Sequence, residues 1–465
     1  MSGTRVTIPH MRGDRFDDRI HRIVERAKAY TTDPSAPKKH HFVPRSYLAR
    51  FAVNGQVRRT LVDTGQQRNL GLKGVGYLED FYRLEAPDID PDRTPPLFTE
   101  VLLGALEDDA KRDIDTLLLY EPGIITNSSM ITDMSFYLAA QHVRGRAFRE
   151  EQEVLIHWSD TQDPIELSTI LARFHLVLTG GNPDDEALVA ARAEQIRSTQ
   201  PISADLKAQA LQLMLQQWFP LVLTFAGLKW SIYHTEAPLL TSDEPVVLIG
   251  TPGTDRTEKP GLLTTGVVVF PISPDRLLTL FNPALMPPPR YPFILTASEV
   301  DQINAELMAT AEREVYERPS DRVAAAITVP SRIAGKPLVD PEGKVLTRYR
   351  KPTRWASVAE PPAPPVPRWF QPEDWGNPSS GTGCQVLSCG HGVDMPVQLP
   401  ELVEHVKDNP FSYYESYAYV CADHYKSLRA ELDKSVPRYT VDLRWRNPDT
   451  NRRELRIRYP EEGPG

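Results

Sequence analysis

Cysteine is absent from the first 383 residues of this 465-residue chain and then occurs three times, at Cys384, Cys389 and Cys421, with His391 and His424 among them. The long N-terminal part must therefore hold together by ordinary burial. The tail carries the side chains that hold zinc, which in structural sites takes four thiolates or imidazoles in a tetrahedron. Cys384-x4-Cys389, with Gly390 to let the chain turn, makes one pair, and Cys421-x2-His424 makes a second. The second pair falls where residues 417–420 read as a strand and 424–432 as a helix. His391 is a fifth candidate. A single site uses four, so Cys384, Cys389, Cys421 and His424 are preferred, with His391 as the alternative ligand. Four protein ligands leave no open position, so the expected zinc is structural. The competing reading is three free cysteines that act as small hydrophobes.

Composition restricts the rest. Hydrophobic residues make up 40% and charged residues 25% of the chain, which suits a globular protein able to bury a core. The net charge of −9 disfavours a generally basic nucleic-acid binder without excluding a local basic patch. The N-terminus shows no apolar signal segment, and no apolar run reaches the length of a membrane span. An odd number of cysteines argues against a disulfide framework. The expectation is a cytoplasmic protein with no membrane association.

Hydrophobic periodicity gives the layout. Residues 14–30 carry an amphipathic helical pattern, and Asn54-Gly55 marks a hairpin turn. Residues 97–120 form a helix with Leu102, Leu103, Leu106, Ala110, Ile114, Leu117 and Leu118 as its apolar stripe, and Glu107 lies off that stripe at a solvated position. Residues 128–158 read as one long helix, and 165–228 as two or three more. From 229 the pattern changes to short β-runs at 230–234, 245–249, 266–271 and 276–281. A helix over 298–316, opened by Ser298, and a last strand over 322–329 follow. The expected fold is α+β, a helical bundle packed on a mainly antiparallel sheet, with a small zinc-stabilised module at the end. The expected divisions are an N-terminal helix and arm (1–38), a main domain (39–329), a Pro-rich linker (330–383) and the zinc module (384–465). The linker assignment rests on Pro361-Pro362-Ala363-Pro364-Pro365-Val366-Pro367, a semi-rigid extended run. At the C-terminus, residues 438–446 and 453–459 form a hairpin pattern whose one face carries Arg444, Arg446, Arg456 and Arg458. That face can touch nucleic-acid phosphates or a protein partner, or can simply be solvated.

Several stretches of the main domain carry a resemblance. Lys39-His40-His41-Phe42-Val43-Pro44-Arg45-Ser46-Tyr47-Leu48-Ala49-Arg50-Phe51, Gln141-His142-Val143-Arg144, Leu239-Leu240-Thr241-Ser242-Asp243-Glu244-Pro245-Val246 and Phe270-Pro271-Ile272-Ser273-Pro274 occur in an order that resembles the bacterial and fungal family called domain of unknown function 4238. The resemblance covers residues 39–318 and implies a fold more than an activity. The tail lies outside it and looks like a zinc ribbon or treble clef. His41-x2-Pro44 is also similar to the opening of the His-Asn-His nuclease motif, with Asn54 in the asparagine's place, but the next histidine, His142, lies too far along the chain for that compact unit.

Read from the residues, His40 and His41 alternate faces if extended, as do Asp243 and Glu244. Arg144 ends an apolar helical stretch and wants a carboxylate, for which Asp243 is the candidate. A pocket of His41, Arg144 and Asp243 suits acid–base chemistry on an anion, with His41 as acid or base, Arg144 as clamp and Asp243 as orienter or metal ligand. In the structural alternative, Arg144–Asp243 is an ion pair clamping helix to sheet. Two functions remain open: a hydrolase, nuclease-like, acting on a phosphate-bearing or nucleic-acid substrate, or a non-catalytic binding protein. For the tail, elemental analysis should find about one zinc per chain, and chelation should unfold residues 384–465 alone. A metal-free preparation with an ordered tail would refute the zinc assignment.

Overall fold

The computed structural model describes residues 13–332 and 352–365, leaving aside 32, 160–162, 179–181, 199–202, 252, 262–264, 283–284 and 286–292, together with 395–398, 417–420, 440–442 and 456–458. The chain divides into two compact units, Met1–Phe370 and Gln371–Gly465. In the first unit the elements run α1 (Gly13–Ala29), β1 (Lys39–His41), α2 (Arg45–Leu48), β2 (Gln56–Leu61), β3 (Gln67–Gly71), β4 (Tyr77–Glu79), α3 (Phe98–Leu117), β5 (Gly123–Ile125), α4 (Ser128–Val143) and α5 (Arg146–Ser159). They continue with α6 (Pro164–Leu178), α7 (Glu186–Ser198), α8 (Leu206–Ala226), β6 (Lys229–Thr235), β7 (Thr241–Ser242), β8 (Val247–Gly250), β9 (Thr265–Ser273), β10 (Arg276–Phe281), β11 (Ile294–Leu295), α9 (Ala297–Thr310) and β12 (Glu314–Glu317).

The layout is α+β with mainly antiparallel sheets, as the periodicity implies. The larger sheet has the order β11-β6-β10-β9-β8, and β5 also pairs with β6; β11–β6 is its one parallel pairing among the described residues. A second sheet, β3-β2-β12-β7, is antiparallel throughout, and β1 pairs with β4 as a short ribbon. Every residue of β9 is buried. Its alternation sorts them: Val268, Phe270 and Ile272 join a core with Tyr137, Leu138 and Phe225 from α4 and α8, whereas Val267 and Val269 join one with Val300, Ile303 and Leu307 from α9. A strand covered on both faces has no polar side, which is why Val267–Phe270 is an unbroken apolar run. Tyr47, fully buried, ties the N-terminal segment to this strand by donating to the Pro271 carbonyl at 2.6 Å and stacking on Phe270 with ring centroids 5.0 Å apart.

Four local expectations are corrected. Residues 128–158 are two helices, broken at Arg144-Gly145. A Cβ on Gly145 would lie 2.5 Å from Glu244 Oε1, so a side chain there would require that carboxylate to move. The helix expected from Ser298 is capped two residues earlier, by Thr296 in a reciprocal capping box with Glu299, and it ends at Thr310. The residues beyond become β12, so the last strand of the main domain is Glu314–Glu317. Residues 322–329 hold a 3₁₀ turn at Ala324–Ala326 instead, because the buried Glu317 carboxylate accepts from the backbone of Val323 and Ala324.

The supposed linker is anchored where it is described. Arg354 is fully buried, pairs with Asp63, and donates to the carbonyls of Pro330 at 3.2 Å and Glu312 at 3.3 Å. Thr353 donates its backbone N–H to Thr257 O at 2.9 Å. Arg332 donates to Ala311 O at 3.0 Å and Pro352 O at 3.3 Å. Residues 330–332 and 352–358 thus form a strap on the first unit.

In the second unit, Met395–Gln398 pairs antiparallel with Tyr417–Val420, and Thr440–Asp442 with Arg456–Arg458, placing Val441 opposite Ile457. The candidate ligands Cys384, Cys389, His391, Cys421 and His424, and also Arg444 and Arg446, lie outside the described residues. Among the described residues no helix is long and apolar enough to cross a membrane.

Arg354→Ala should cost about 2–4 kcal/mol, because it strips donors from buried carbonyls and leaves Asp63 without its cation. The check is the urea midpoint of the full chain; an unchanged midpoint would show that the strap adds nothing to the fold.

Candidate functional site

The break between α4 and α5 organises the polar residues of the first unit. Arg144, which caps the C-terminal end of α4, is 2% exposed. Its guanidinium pairs with Glu107 of α3 at 2.7 Å, donates to the His41 carbonyl at 2.5 Å, and donates from Nε to the Tyr82 hydroxyl at 3.3 Å. Tyr82 in turn donates to the Arg144 carbonyl at 2.8 Å. Burial works against the charge of Arg144, but Tyr82 and Glu107 more than offset it and keep the guanidinium protonated. Just before the break, Gln141 donates to Phe42 O at 2.9 Å; just after it, Arg149 donates to Phe81 O at 2.5 Å and lies over the Phe81 ring.

The histidine pair splits as alternation requires. His40 is fully buried and structural: it accepts the Tyr82 backbone N–H at Nδ1 (2.8 Å), bonds Pro37 O through Nε2 (3.1 Å), and stacks on the Tyr82 ring. His41 lies on the other face against Tyr77, with its Nδ1 buried and unpartnered. Burial, followed by the charges of Arg45 and Arg144, lowers its pKa to about 4, so the ring is neutral at physiological pH.

Asp243 is elsewhere. Its carboxylate accepts the backbone N–H groups of Glu312 (2.8 Å), Arg313 (2.7 Å) and Glu314 (3.1 Å), which fixes the corner between α9 and β12. Burial pushes its pKa up to about 7 against the pull of those amides. The structure therefore brings His41 and Arg144 together and leaves Asp243 out. The carboxylate that Arg144 needs comes from Glu107, which is not a solvated bystander. Glu100, two helical turns before Glu107 on α3, faces the same cation. Its Oε2 is buried without a partner, and burial raises its pKa to about 7.

The partners of Arg144 and Asp243 along the chain, His142 and Glu244, face a different place. Both line a cleft of about 50 Å³ together with Lys259, Glu306, Arg332 and Trp355. Glu244 is 7% exposed and accepts the Ala147 N–H at 3.2 Å, so its carboxylate sits at the N-terminus of α5 where the helix dipole favours negative charge. Burial nonetheless raises its pKa to about 7, with Lys259 opposing. His142 packs edge-on against Phe148 and Phe225. Burial, reinforced by Lys259, lowers its pKa to about 4, while a bond to the Val246 backbone holds the ring in place. Lys259 has a distant carboxylate partner in Glu151 at 3.8 Å, and Glu306 is held by Arg256 at 2.7 Å. The cleft thus offers a neutral imidazole, a carboxyl that titrates near neutrality and an ammonium group. Sequence reasoning had both segments in view but took the other member of each. Residues two apart on a helix diverge by about 200°, which separates His142 from Arg144, and Asp243 and Glu244 part in the bend that follows β7. Among the described residues no group of three or more His, Cys, Asp or Glu is arranged to hold a metal.

Comparison with known proteins bears on the first unit. The sequence profile described as "Protein of unknown function (DUF4238)" matches residues 39–321. That span includes His142, Arg144, Asp243, Glu244 and Lys259 and stops short of Arg332 and Trp355. No curated protein and no solved structure matches the chain.

Glu100 gives this region a pH signature. Its folded pKa of about 7 stands above the ordinary 4.5, so the neutral carboxyl is the form that suits the fold. Its stabilising contribution is complete below pH 4.5 and is lost as pH rises through 7. Glu100→Gln should therefore stabilise the protein by about 1–3 kcal/mol at pH 8 and leave it unchanged at pH 4. Melting curves at the two pH values test this; equal effects at both would refute it.

Proposed function

Since the chain belongs to the DUF4238 family, whose description assigns no activity, we propose from the geometry of the cleft that the first unit is a hydrolase with Glu244 as its general base. The observation that carries this reading is that His142 and Glu244, drawn from two separate segments, line one cleft with Lys259. A carboxyl with a pKa of about 7 is well matched to proton transfer at neutral pH. Glu244 takes a proton from water as the water oxygen bonds to the electrophilic centre. The bond to the leaving group breaks, and Glu244 returns the proton to it. Lys259 offsets the negative charge that develops on the reacting centre. His142, neutral and held by Val246, supplies a fixed polar contact for the water or the substrate. His41, Arg144 and Glu107 act at a distance by setting the end of α4 and hence the placement of His142.

A second reading, a non-catalytic binding protein, is favoured by one observation: Glu244 already has a structural task at the N-terminus of α5. We further propose that the second unit is a zinc module held by Cys384, Cys389, Cys421 and His424, with His391 as the alternative ligand. What supports it is the choice and spacing of these residues, and a strand, Tyr417–Val420, that ends one residue before Cys421. Arg444, Arg446, Arg456 and Arg458 are the proposed contacts to a nucleic-acid or protein partner.

A panel of p-nitrophenyl esters, phosphates and phosphodiesters separates the readings. Glu244→Gln should lower turnover about 10²–10⁴-fold while binding persists, and activity should rise with pH through about 7 as the base ionises. A Glu244→Gln protein as active as the parent would remove Glu244 as the base, and no turnover of any ester would leave the binding protein as the reading.

A further inference from the structure

The strap that follows the family-matched region supplies a wall of the cleft, and its polar groups are not in balance. Arg332 and Trp355 both line the cavity beside Lys259. The Trp355 indole N–H is buried and has no acceptor, and the same holds for the Nε–H of Arg332. An indole nitrogen is a donor only, and a buried donor left unpaired costs about 1–3 kcal/mol. The ring is not adrift: Arg256 lies over it at 5.3 Å, and the neighbouring Arg354 pins the backbone. Lys259 adds donors whose nearest carboxylate, at 3.8 Å, lies beyond hydrogen-bond reach. On the wall, Glu306 accepts from Arg256 through one oxygen, Glu244 accepts from Ala147 through one oxygen, and Arg332 faces Glu312 at 3.6 Å. The unmet donors of the wall are the Trp355 indole N–H and the Arg332 Nε–H.

We propose that the cleft binds an oxyanion, a phosphate or carboxylate group of the substrate, and that Trp355 donates a hydrogen bond to it alongside Lys259. This assignment rests on the cleft being the substrate site and names the class of substrate it takes. The group that fits unmet donors is one that only accepts, and an oxyanion does. The cavity of about 50 Å³ has room for a few waters' worth of atoms, hence for a head group rather than a polymer. Trp355 and Arg332 lie outside residues 39–321, the span of the family match.

Trp355 can be observed directly. In the full-length protein labelled with ¹⁵N-tryptophan, the seven indole N–H signals are resolvable, and Trp355→Phe assigns one of them while keeping an aromatic ring under Arg256. Titration with inorganic phosphate, and separately with acetate, should move the Trp355 signal saturably with at least one of the two, and the anion that moves it identifies the group. Trp355→Phe should weaken binding of that anion about tenfold, as expected for one lost hydrogen bond, and Lys259→Met should weaken it further. A Trp355 signal unmoved by millimolar phosphate and acetate, or a Trp355→Phe protein that binds as tightly as the parent, would overturn the proposal. Either result would leave the role of Glu244 intact if ester turnover still depended on it. Anion binding without turnover would uphold this site and remove the hydrolase reading.

Discussion

Arg144 is the constraint on which the rest of the first unit depends. Taking a guanidinium out of water costs several kcal/mol, and the cost is offset only when its donors find close partners. Those partners come from α3, from the β1 strand and from Tyr82, so a single side chain fixes three segments far apart in sequence against the end of α4. The position also decides where α4 stops. Once Arg144 turns into this network, the next residue, Gly145, lets the chain pass against Glu244, and α5 starts in a new direction with that carboxylate at its N-terminus. The cleft exists because of this break: His142 is the last polar side chain of one helix, and Glu244 caps the next.

The parts of the fold legible in the sequence are those where burial alone decides. The unbroken apolar run of β9 announces a strand covered on both faces, and the stripe of α3 and the β-runs after 229 appear close to where periodicity puts them. What periodicity missed are places where a polar side chain captures backbone N–H groups from a distant segment. Asp243 takes three of them and turns the end of α9 into β12, and Glu317 takes two and makes a turn of the expected strand at 322–329. Such captures depend on tertiary neighbours and leave no local pattern. Residues 330–383 read as a linker for the same reason, since Arg354 looks like one more solvated arginine until Asp63 and the carbonyls of Pro330 and Glu312 surround it.

For the site, the sequence grouped His41, Arg144 and Asp243, and the fold brings only the first two together. Spacing shows that Arg144 and His142 diverge, and likewise Asp243 and Glu244, but not which of each pair meets a cavity. Chemistry favoured arginine with aspartate as the obvious ion pair. The fold instead gives arginine to Glu107 and aspartate to the backbone. The signal that would have found Glu107 was the seven-residue spacing from Glu100, which sets two carboxyls on one face of α3 and calls for a cation opposite them.

The two sides of the α4–α5 break differ in which of their polar groups are left unmet. Around Arg144 the donors of the guanidinium meet carbonyls, a hydroxyl and a carboxylate, while His41 Nδ1, Glu100 Oε2 and Gln141 Oε1 nearby are buried without partners. On the cleft side, the unmet groups among the lining residues are donors, the Trp355 indole N–H and the Arg332 Nε–H of the strap. The great majority of buried polar groups in proteins have a hydrogen-bond partner, which makes the unmet indole of Trp355 a point of contrast with its surroundings. Burial moves both Glu244 and His142 toward the neutral form, so Glu244 changes charge near neutral pH and His142 stays neutral there. Arg144 and Asp243 hold the domain in shape, and their chain neighbours His142 and Glu244 line the cleft.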